Sequence, residues 1–349
     1  MNKTLCSHDG IRNRGERAIV RYDVIIVGGG PGGSSCAWQL RRQGVSCLLI
    51  DKATFPRTKL CAGWITPEVV ADLEIDTAAY PHRFLTFDVT QAHLYGATFK
   101  LRSPQHSIRR LEFDDWLVQR AGVPVVQHKV KRIVQQGDGF VLDDTYHCRY
   151  LVGAAGTGCP VYRALFREIN PRARVLQAVA LEQELPFDWT DPHCHLWFFE
   201  KGLPGYSWYV PKQNGYVNLG IGAIAVRLKR RGEHVDLHWD RFVAALRRRG
   251  LIDDTLKLVP GGYSYYLRGN VDTCRIGNAF LVGDAAGLAT RDMAEGIGPA
   301  VRSGILAAKA IADGVDYRLD PVSAHSLPSG LTRRALEYLL LRGDTASAA

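Results

Sequence analysis

The amino-terminal part of the chain combines continuous apolar runs with helical spacing. An apolar run at residues 24–27 leads into the segment GGGPGG, a helix-period stretch follows to Gln43, and a second apolar run at residues 45–50 ends at Asp51. Short continuous apolar runs indicate buried strands, and a spacing near 3.6 residues indicates a helix. The pattern therefore predicts a strand–helix–strand unit whose two strands lie parallel in one sheet.

The middle of the chain follows a different period. Over residues 175–225 apolar and polar positions alternate, aromatic residues are frequent, and the turns KGLPG and QNG separate HLWFFE, YSWYVPK and YVNLGIGA. Such alternation predicts a meander of antiparallel strands. A late apolar run at residues 278–283 predicts a buried strand, and residues 295–313 predict a helix. We therefore expect one α/β lobe that is interrupted by an aromatic sheet lobe.

The remaining periodic segments predict shorter elements. Strand-like pieces lie at residues 84–89, 97–101, 123–126, 132–134 and 150–155, and helical spacing predicts helices over residues 112–121, 240–249 and 331–342. The last helix has Leu336, Leu339 and Leu340 on one side. Such an amphipathic helix packs on its own protein or makes a peripheral contact with a membrane surface, and the sequence leaves both alternatives open.

Composition and charge narrow the class of protein. The 349 residues are 46% hydrophobic and 23% charged, as in an ordinary globular protein. The net charge of +9 reflects clusters at residues 227–231 and 247–249. Such clusters are typical of solvated helix faces and also suit an anionic membrane surface or a diphosphate-bearing substrate, whereas nucleic acid is not an expected partner. The eight cysteines form no Cys-x-x-Cys pair, the first 20 residues lack the apolar core of a signal peptide, and no apolar run approaches the ~18 residues that span a bilayer. We expect a cytoplasmic protein, with membrane association left open.

Each glycine after the first strand has a separate role in a dinucleotide-binding turn. Gly28 makes the tight turn, Gly30 lets the backbone approach a pyrophosphate, and Gly33 lets the helix pack close to the strand. Near Gly32 the helix amino terminus presents free N–H groups to the phosphates. Asp51 lies 18 residues beyond Gly33, where a carboxylate accepts hydrogen bonds from ribose hydroxyls. The sequence therefore predicts a bound dinucleotide.

A second motif covers residues 279–311. Its strand ends in Gly283 and Asp284, which places a carboxylate at the carboxyl edge of the sheet, where open α/β sheets bind ligands. Gly296 and Gly298 begin the next helix and let a planar ring approach the backbone. The positive end of that helix can stabilise negative charge on the ring.

These motifs together resemble a known flavoprotein family. Five segments are similar to those of enzymes of the para-hydroxybenzoate hydroxylase fold. They are the glycine fingerprint with Asp51, FPRTKLCAGWITP at residues 55–67, RLEFDDWL at 110–117, YLVGAAG at 150–156 and LVGDAAG at 281–287. Within that fold the likeness is to geranylgeranyl reductases and their relatives, and it covers about residues 20–315. It implies an α/β (α+β) fold in which a Rossmann-like FAD-binding domain carries an inserted antiparallel-sheet substrate domain.

The resemblance also implies domain boundaries. The FAD-binding domain is expected to be discontinuous, formed by residues 20–80, 105–165 and 270–315. Residues 81–104 and 166–269 then form the substrate-binding sheet domain, and residues 316–349 form a short helical tail.

FAD is the cofactor that the resemblance implies, and its contacts carry over position by position. The resemblance assigns the FAD pyrophosphate to the fingerprint glycines, the adenosine ribose to Asp51 and the ribityl chain to Asp284. It also implies that Arg110 contacts the cofactor and directly precedes a helix. The isoalloxazine would lie beside the start of the last helix. The full set of expected cofactor-binding residues is Gly28, Gly30, Gly32, Gly33, Asp51, Lys52, Arg57, Arg110, Val130, Gly156, Asp284, Gly296 and Ile297. The family's Asp-Gly at the end of the middle strand is replaced by Ala155-Gly156, which puts direct reduction by NADPH in doubt.

Two segments point to the reductase branch. Residues 59–63, KLCAG, look like the reductases' Lys-x-Cys-Gly-Gly, so Cys61 is expected to face flavin and substrate; the alternative is a small thiol that packs as a hydrophobic residue. Residues 203–211, LPGYSWYVP, look like the reductases' aromatic box. Tyr206 and Trp208 share one face of a strand and are expected to wall an apolar tunnel, unless they form an ordinary aromatic core.

The resemblance implies an FAD-dependent oxidoreductase that transfers hydride from reduced FAD to C=C bonds of an isoprenoid or other apolar substrate. Cys61, Tyr206 and Trp208 are the expected catalytic residues, and NAD(P)H, ferredoxin or a quinol is the expected external electron donor. One alternative is a flavin-dependent halogenase or monooxygenase, because the aromatic box nearly matches that of halogenases and Lys59 is a candidate for the lysine they require. Another is an electron-transfer flavoprotein without its own organic substrate.

No metal site is expected from the sequence. His193 and His195 lie two residues apart, but no third and fourth ligand is evident nearby, and such pairs are more often ordinary strand or surface residues.

Overall fold

The computed structural model describes residues 19–271, 273–327 and 330–341. Its strands, in chain order, are β1 (Val20–Val27), β2 (Cys47–Asp51), β3 (Trp64–Ile65), β4 (Leu85–Leu94), β5 (Ala97–Ser107), β6 (Val125–Gln127), β7 (Ile133–Gln136), β8 (Gly139–Leu142), β9 (Tyr146–Gly153), β10 (Gln177–Pro186), β11 (Cys194–Phe198), β12 (Gly205–Lys212), β13 (Tyr216–Ile224), β14 (Gly261–Tyr266), β15 (Arg275–Ile276) and β16 (Ala279–Leu281). Its α-helices are α1 (Pro31–Arg42), α2 (Pro67–Asp72), α3 (Arg110–Ala121), α4 (Ala225–Arg230), α5 (Val235–Arg248), α6 (Ile297–Asp313) and α7 (Leu331–Leu341).

The first sheet is mostly parallel and runs in the order β15-β16-β9-β1-β2-β6, with the β7–β8 hairpin paired to β9. Strands β1, β2, β6, β9 and β16 run parallel to one another, so their carboxyl ends meet at one edge. Residues 24–27 of β1 are buried because both faces of the sheet are covered, one by helices and the other largely by the β7–β8 hairpin and irregular segments, which explains the continuous apolar run. Val24 and Ile26 pack on one face, whereas Ile25 and Val27 pack on the other.

The second sheet runs in the order β14-β10-β13-β12-β11-β4-β5-β3 and is antiparallel except where β11 pairs with β4. One of its faces is covered by α5, whose Trp239, Phe242 and Leu246 pack against Leu219 and Ile221. The opposite face holds a separate apolar cluster that includes Trp208, Val210 and Met293.

The fold class predicted from the sequence is confirmed: a Rossmann-like lobe and an inserted, largely antiparallel sheet. The meander is present as β11, β12 and β13, although β11 also has a parallel neighbour. The helix predicted over residues 240–249 begins earlier, at Val235, because Trp239 packs on the second sheet. The helix predicted from residue 295 begins at Ile297. The exact domain boundaries stay a prediction; within the expected FAD segment 20–80, β3 pairs with the second sheet.

The carboxy-terminal helix α7 packs on the body of the protein. Leu336 and Leu340 are buried, and Leu336 joins the cluster that contains Trp208. The guanidinium of Arg227 donates hydrogen bonds to the carbonyl oxygens of Leu339 and Leu340 at 2.6 and 3.2 Å. Of the two alternatives that the sequence left open, these contacts favour packing over membrane docking; residue 342 of the predicted helix lies outside the described residues. Among the described helices, none has both the length and the apolar character to cross a bilayer.

Helices α1 and α6 cross at backbone contact. A Cβ atom on Gly304 of α6 would lie 2.2 Å from the carbonyl oxygen of Gly32 in α1. This spacing leaves no room for a methyl group without separating the two helices, and Gly32 itself borders the nucleotide-binding turn.

We expect Gly304→Ala to destabilise the protein by about 1–3 kcal/mol because overpacking displaces backbone rather than a flexible side chain. Urea unfolding followed by far-ultraviolet circular dichroism measures this change. Gly330→Ala is the matched control, since a Cβ atom there meets nothing within 4 Å. Equal midpoints for the two variants would contradict the close helix crossing.

Candidate functional site: a cavity at the carboxyl edge of the parallel sheet

A cavity of about 720 Å³ opens at the edge where the parallel strands of the first sheet end. The segments that follow all five of these strands contribute to its lining: residues 28 and 30–32 after β1, 52–53 after β2, 128–130 after β6, 154–158 after β9 and 282–284 after β16. Open α/β sheets bind ligands at this edge because the strand order reverses there. Of the thirteen expected cofactor-binding residues, all except Gly33 line the cavity.

The glycine fingerprint divides into packing and lining positions. Gly28 has φ +115°, and a Cβ atom there would lie 2.5 Å from the backbone of Ala154. On Gly33 a Cβ atom would lie 1.8 Å from the carbonyl oxygen of Gly28, so Gly33 brings helix and strand together and does not reach the cavity. Gly30 lines the cavity and has only the Arg57 guanidinium nearby, 3.6 Å from an added Cβ atom. The start of α1 therefore exposes its backbone N–H groups to the cavity.

Asp51 is held rigidly at the far side of this turn. Its Oδ2 accepts a hydrogen bond from the Gly29 N–H at 2.8 Å, and its Oδ1 accepts one from the Ala53 N–H at 2.9 Å. The carboxylate is buried and lines the cavity beside Lys52 and Val130. A carboxylate oxygen can accept more than one hydrogen bond, so Asp51 retains capacity for ribose hydroxyls.

Arg110 is the first residue of α3, not the residue before it, and it forms a buried bidentate pair within that helix. Its Nε and Nη2 donate to the two carboxylate oxygens of Asp114 at 2.7 and 2.8 Å, and Arg57 Nη1 lies 3.4 Å from the same carboxylate. Burial alone would lower the pKa of Arg110, but the Asp114 carboxylate raises it above its ordinary value. Asp114 was missed from the sequence, although its i, i+4 spacing from Arg110 is a signal for such a pair.

Asp284 supplies the cavity with a polar atom that lacks a partner. Its Oδ1 is buried and accepts no hydrogen bond from the described residues. A Cβ atom on Gly296, at the start of α6, would lie 3.1 Å from this oxygen. Burial raises the pKa of Asp284 above its usual range, while Lys59, Arg110 and Arg172 oppose the shift. An orphaned acceptor in a large cavity fits a ligand with hydroxyl groups, as the ribityl chain of FAD has.

The segment that contains Cys61 closes the inner end of the cavity. Lys59 and Cys61 line both this cavity and a smaller one of about 220 Å³. Lys212, which is fully buried, holds the segment in place: its Nζ donates to the carbonyl oxygens of Ala62 and Ile108, each at 2.6 Å. Burial lowers the pKa of Lys212, and Glu184 opposes this shift from 3.8 Å.

Tyr206 and Trp208 share a face of β12, as predicted, with ring centroids 5.8 Å apart. Neither ring lines the 720 Å³ cavity. Tyr206 donates its hydroxyl to the carbonyl oxygen of Met293 at 2.6 Å. Trp208 donates Nε1–H to Asn218 Oδ1 at 2.6 Å, and Asn218 Nδ2 donates to the Cys61 carbonyl oxygen at 3.3 Å. Trp208 is thus linked to the Cys61 segment through Asn218.

Glu182 completes the buried network behind Cys61. It is 1% exposed and lines the smaller cavity. Burial raises its pKa to about 7, although Lys212, Lys59 and a hydrogen bond with the Asn218 side chain oppose the shift. The Cys61 backbone also opposes the shift in pKa, and Tyr263 donates its hydroxyl to Glu182 Oε2 at 3.5 Å. The sequence analysis did not identify Glu182, Lys212 or Asn218. For Glu182 the available signal was a charged residue within the apolar run VALEQEL.

Family models match most of this architecture. One for a NAD(P)-binding Rossmann-like domain matches residues 26–91, and one for an FAD binding domain matches residues 126–316, more than half of the chain. The chain belongs to the FAD-dependent oxidoreductases. Its cofactor is therefore FAD, and the dinucleotide-binding turn, Asp51 and the unpartnered Asp284 oxygen are arranged to suit it.

Individual relatives of this flavoprotein cover most of its length. A menaquinone reductase of Mycolicibacterium smegmatis is 30% identical over 332 residues, covering 85% of this chain and 78% of the relative. A 1H-pyrrole-2-carbonyl-[peptidyl-carrier protein] brominase of Pseudoalteromonas luteoviolacea is 27% identical, covering 84% and 78%. The crystal structure of a geranylgeranyl bacteriochlorophyll reductase-like protein from Thermoplasma acidophilum superposes with a TM-score of 0.73 at 20% identity, covering 93% and 84%. This last likeness confirms the fold.

We expect Asp284→Ala to weaken FAD binding about 10- to 150-fold, because one hydrogen bond to a charged acceptor contributes about 1.5–3 kcal/mol. Titration of the flavin-free protein with FAD, followed by flavin fluorescence, measures the affinity. Asp138→Ala is the control, since its side chain is 82% exposed and lies outside the cavity lining. Unchanged affinity in Asp284→Ala would exclude a contact with the cofactor.

Proposed function

We propose that this flavoprotein reduces carbon–carbon double bonds in the prenyl chain of an isoprenoid compound. The observation that carries the proposal is Glu182, a buried acid with a pKa of about 7 that lines the smaller cavity together with Cys61, a residue that also lines the larger one. Saturating a double bond requires a hydride and a proton. FAD supplies the hydride when it is bound and reduced; the protein must supply the proton.

Glu182 and Cys61 are the proposed proton donors. An ordinary glutamic acid has a pKa of about 4.3 and is ionised at neutral pH. Because burial raises the pKa of Glu182 to about 7, a large fraction of it keeps its proton there. Cys61 lines both cavities, so its thiol can pass a proton toward the larger one. We assign Lys212, Trp208 and Asn218 the role of positioning the Cys61 segment through the contacts described above.

The substrate class is inferred from two supports. The motifs resemble those of geranylgeranyl reductases, and the relative of highest identity given above is called a menaquinone reductase; both named substrates carry a prenyl chain. A substrate with a long prenyl chain partitions into membranes, so a peripheral membrane contact belongs to the proposal. Because Ala155 replaces the family's acid beside the cavity, we propose ferredoxin or a quinol ahead of NADPH as the electron donor.

The test is an anaerobic single turnover. We expect dithionite-reduced enzyme to saturate at least one tail double bond of menaquinone or geranylgeranyl diphosphate, seen by mass spectrometry as a gain of two hydrogens per bond. Products are first exposed to air, because a reduced quinone ring then reverts whereas a saturated bond remains. Menadione, which has the quinone ring but no prenyl chain, is the control. Flavin oxidation by menaquinone and menadione alike, without tail saturation, would contradict the proposal.

The pH dependence tests the proton donor. Glu182 donates only when protonated, so the rate of tail reduction should fall as the pH rises through about 7. We expect Glu182→Gln to lose this pH limb and to lower the rate about 10²- to 10⁴-fold, the usual contribution of a positioned acid. Glu184→Gln, which removes another carboxylate of the smaller cavity, should keep the limb. A limb that persists in Glu182→Gln would exclude Glu182 as the donor.

A flavin-dependent halogenase is the second candidate, and Lys59 favours it. Its Nζ lies 4.6 Å from the centroid of the Tyr263 ring, it lines both cavities, and burial lowers its pKa. Bromination of a hypobromite trap by reduced enzyme, bromide and O₂, lost in Lys59→Met, would favour the halogenase over the reductase. Absence of both activities would leave an electron-transfer flavoprotein.

A further inference from the structure

Three side chains bring metal-binding atoms together outside the cavity of about 720 Å³, which is called the flavin cavity from here on. Asp191 and His193 lie just before β11, and His195 is its second residue. The His193 Nδ1 atom is 2.7 Å from Asp191 Oδ1, and the His195 Nε2 atom is 2.9 Å from Asp191 Oδ2. One ligand atom from each residue lies within 4.8 Å of the other two. The third ligand that the sequence did not reveal is therefore Asp191, two residues before His193.

A second observation concerns the other ring nitrogen of His195. Its Nδ1 lies 3.0 Å from His93 Nε2, and His93 Nδ1 lies 2.9 Å from Thr98 Oγ1. His195 also stacks on Trp197, with ring centroids 5.3 Å apart and planes 7° apart. Histidine ligands in metal sites usually have their second nitrogen fixed in this manner, which sets the tautomer and aims the first nitrogen at the ion.

A third observation is the space beside the cluster. Asp191 and His195 line a cavity of about 580 Å³ that shares no lining residue with the flavin cavity. Its wall includes Lys201 and Arg249; the Arg249 guanidinium lies over the Trp197 ring at 4.8 Å and is paired with the carboxylate of Glu200, which also lines the cavity. An ion held by the three ligands would thus keep an open coordination position facing a cavity whose wall carries charged groups of both signs.

We propose that Asp191, His193 and His195 bind a divalent transition-metal ion of the zinc class. Two imidazoles and one carboxylate suit Zn²⁺ and neighbouring transition ions, whereas Mg²⁺ and Ca²⁺ prefer oxygen ligands alone. Three protein ligands leave one coordination position of the ion open, in contrast to the closed four-ligand sites that hold structural zinc. The open position would take water or a small anionic ligand from the cavity.

The experiment uses the FAD-loaded protein, freed of affinity tag and dialysed against chelator, and titrates it with Zn²⁺ by isothermal calorimetry. We expect one Zn²⁺ per chain. His93→Ala leaves all three ligands in place and should weaken binding about 10- to 100-fold, the usual effect of removing an outer partner. His193→Ala should weaken it more. His193 is half-exposed, so this substitution leaves the fold intact.

The matched control is His325→Ala, which removes a histidine whose ring pairs with one carboxylate, Glu337, at 3.0 Å and lies outside the lining of the flavin cavity. It should bind Zn²⁺ like the wild type. Flavin content and melting temperature check folding, and Zn²⁺ should raise the melting temperature only where it binds. Failure of the wild type to bind stoichiometric Zn²⁺, or equal affinity in wild type and His193→Ala, would overturn the proposal.

Discussion

The contact between helix α1 and the backbone around it is the constraint on which the rest of this structure depends. Gly33 meets the Gly28 carbonyl, and Gly32 meets Gly304 of α6, at distances that exclude a Cβ atom. The amino terminus of α1 therefore lies at the sheet edge, with its N–H groups free for phosphate. The same crossing fixes the start of α6 beside Asp284. One packing requirement thus places both ends of the flavin cavity.

The chain concentrates buried charge around this cavity. Arg110 and Asp114 form a buried bidentate pair, while Lys212 and Glu182 are buried in the second sheet. Burying an ion costs several kcal/mol unless partners satisfy it. Lys212 finds two carbonyls and Glu184, whereas Glu182 responds by a pKa raised to about 7. Apolar side chains of the same volume could be buried at a lower cost in free energy. This cluster is therefore better explained by its chemistry at the site than by a contribution to stability.

The sequence predicted those parts of the site that are local in the chain. Gly28, Gly30 and Asp51 belong to one strand–helix–strand unit, and a continuous apolar run is sufficient to identify a strand buried in a parallel sheet. Strand β14 was not predicted, because it begins with two glycines and residues 250–277 contain no long apolar run. Glu182 was missed for another reason. Its role arises from pairing of β10 with β13 and from a loop more than a hundred residues away.

The aromatic box shows how the structure changes the meaning of a motif. From the sequence, Tyr206 and Trp208 were expected to wall a substrate tunnel, and that catalytic assignment stays a prediction. Neither ring lines the flavin cavity; Tyr206 bonds the Met293 carbonyl oxygen, and Trp208 bonds Asn218, which in turn bonds the Cys61 carbonyl oxygen. Under the proposed function this box holds the Cys61 segment, a role that does not by itself select between a reductase and a halogenase. In that proposal the choice of reaction rests with Lys59 and Cys61, the ammonium and the thiol among the residues of that segment that line both cavities.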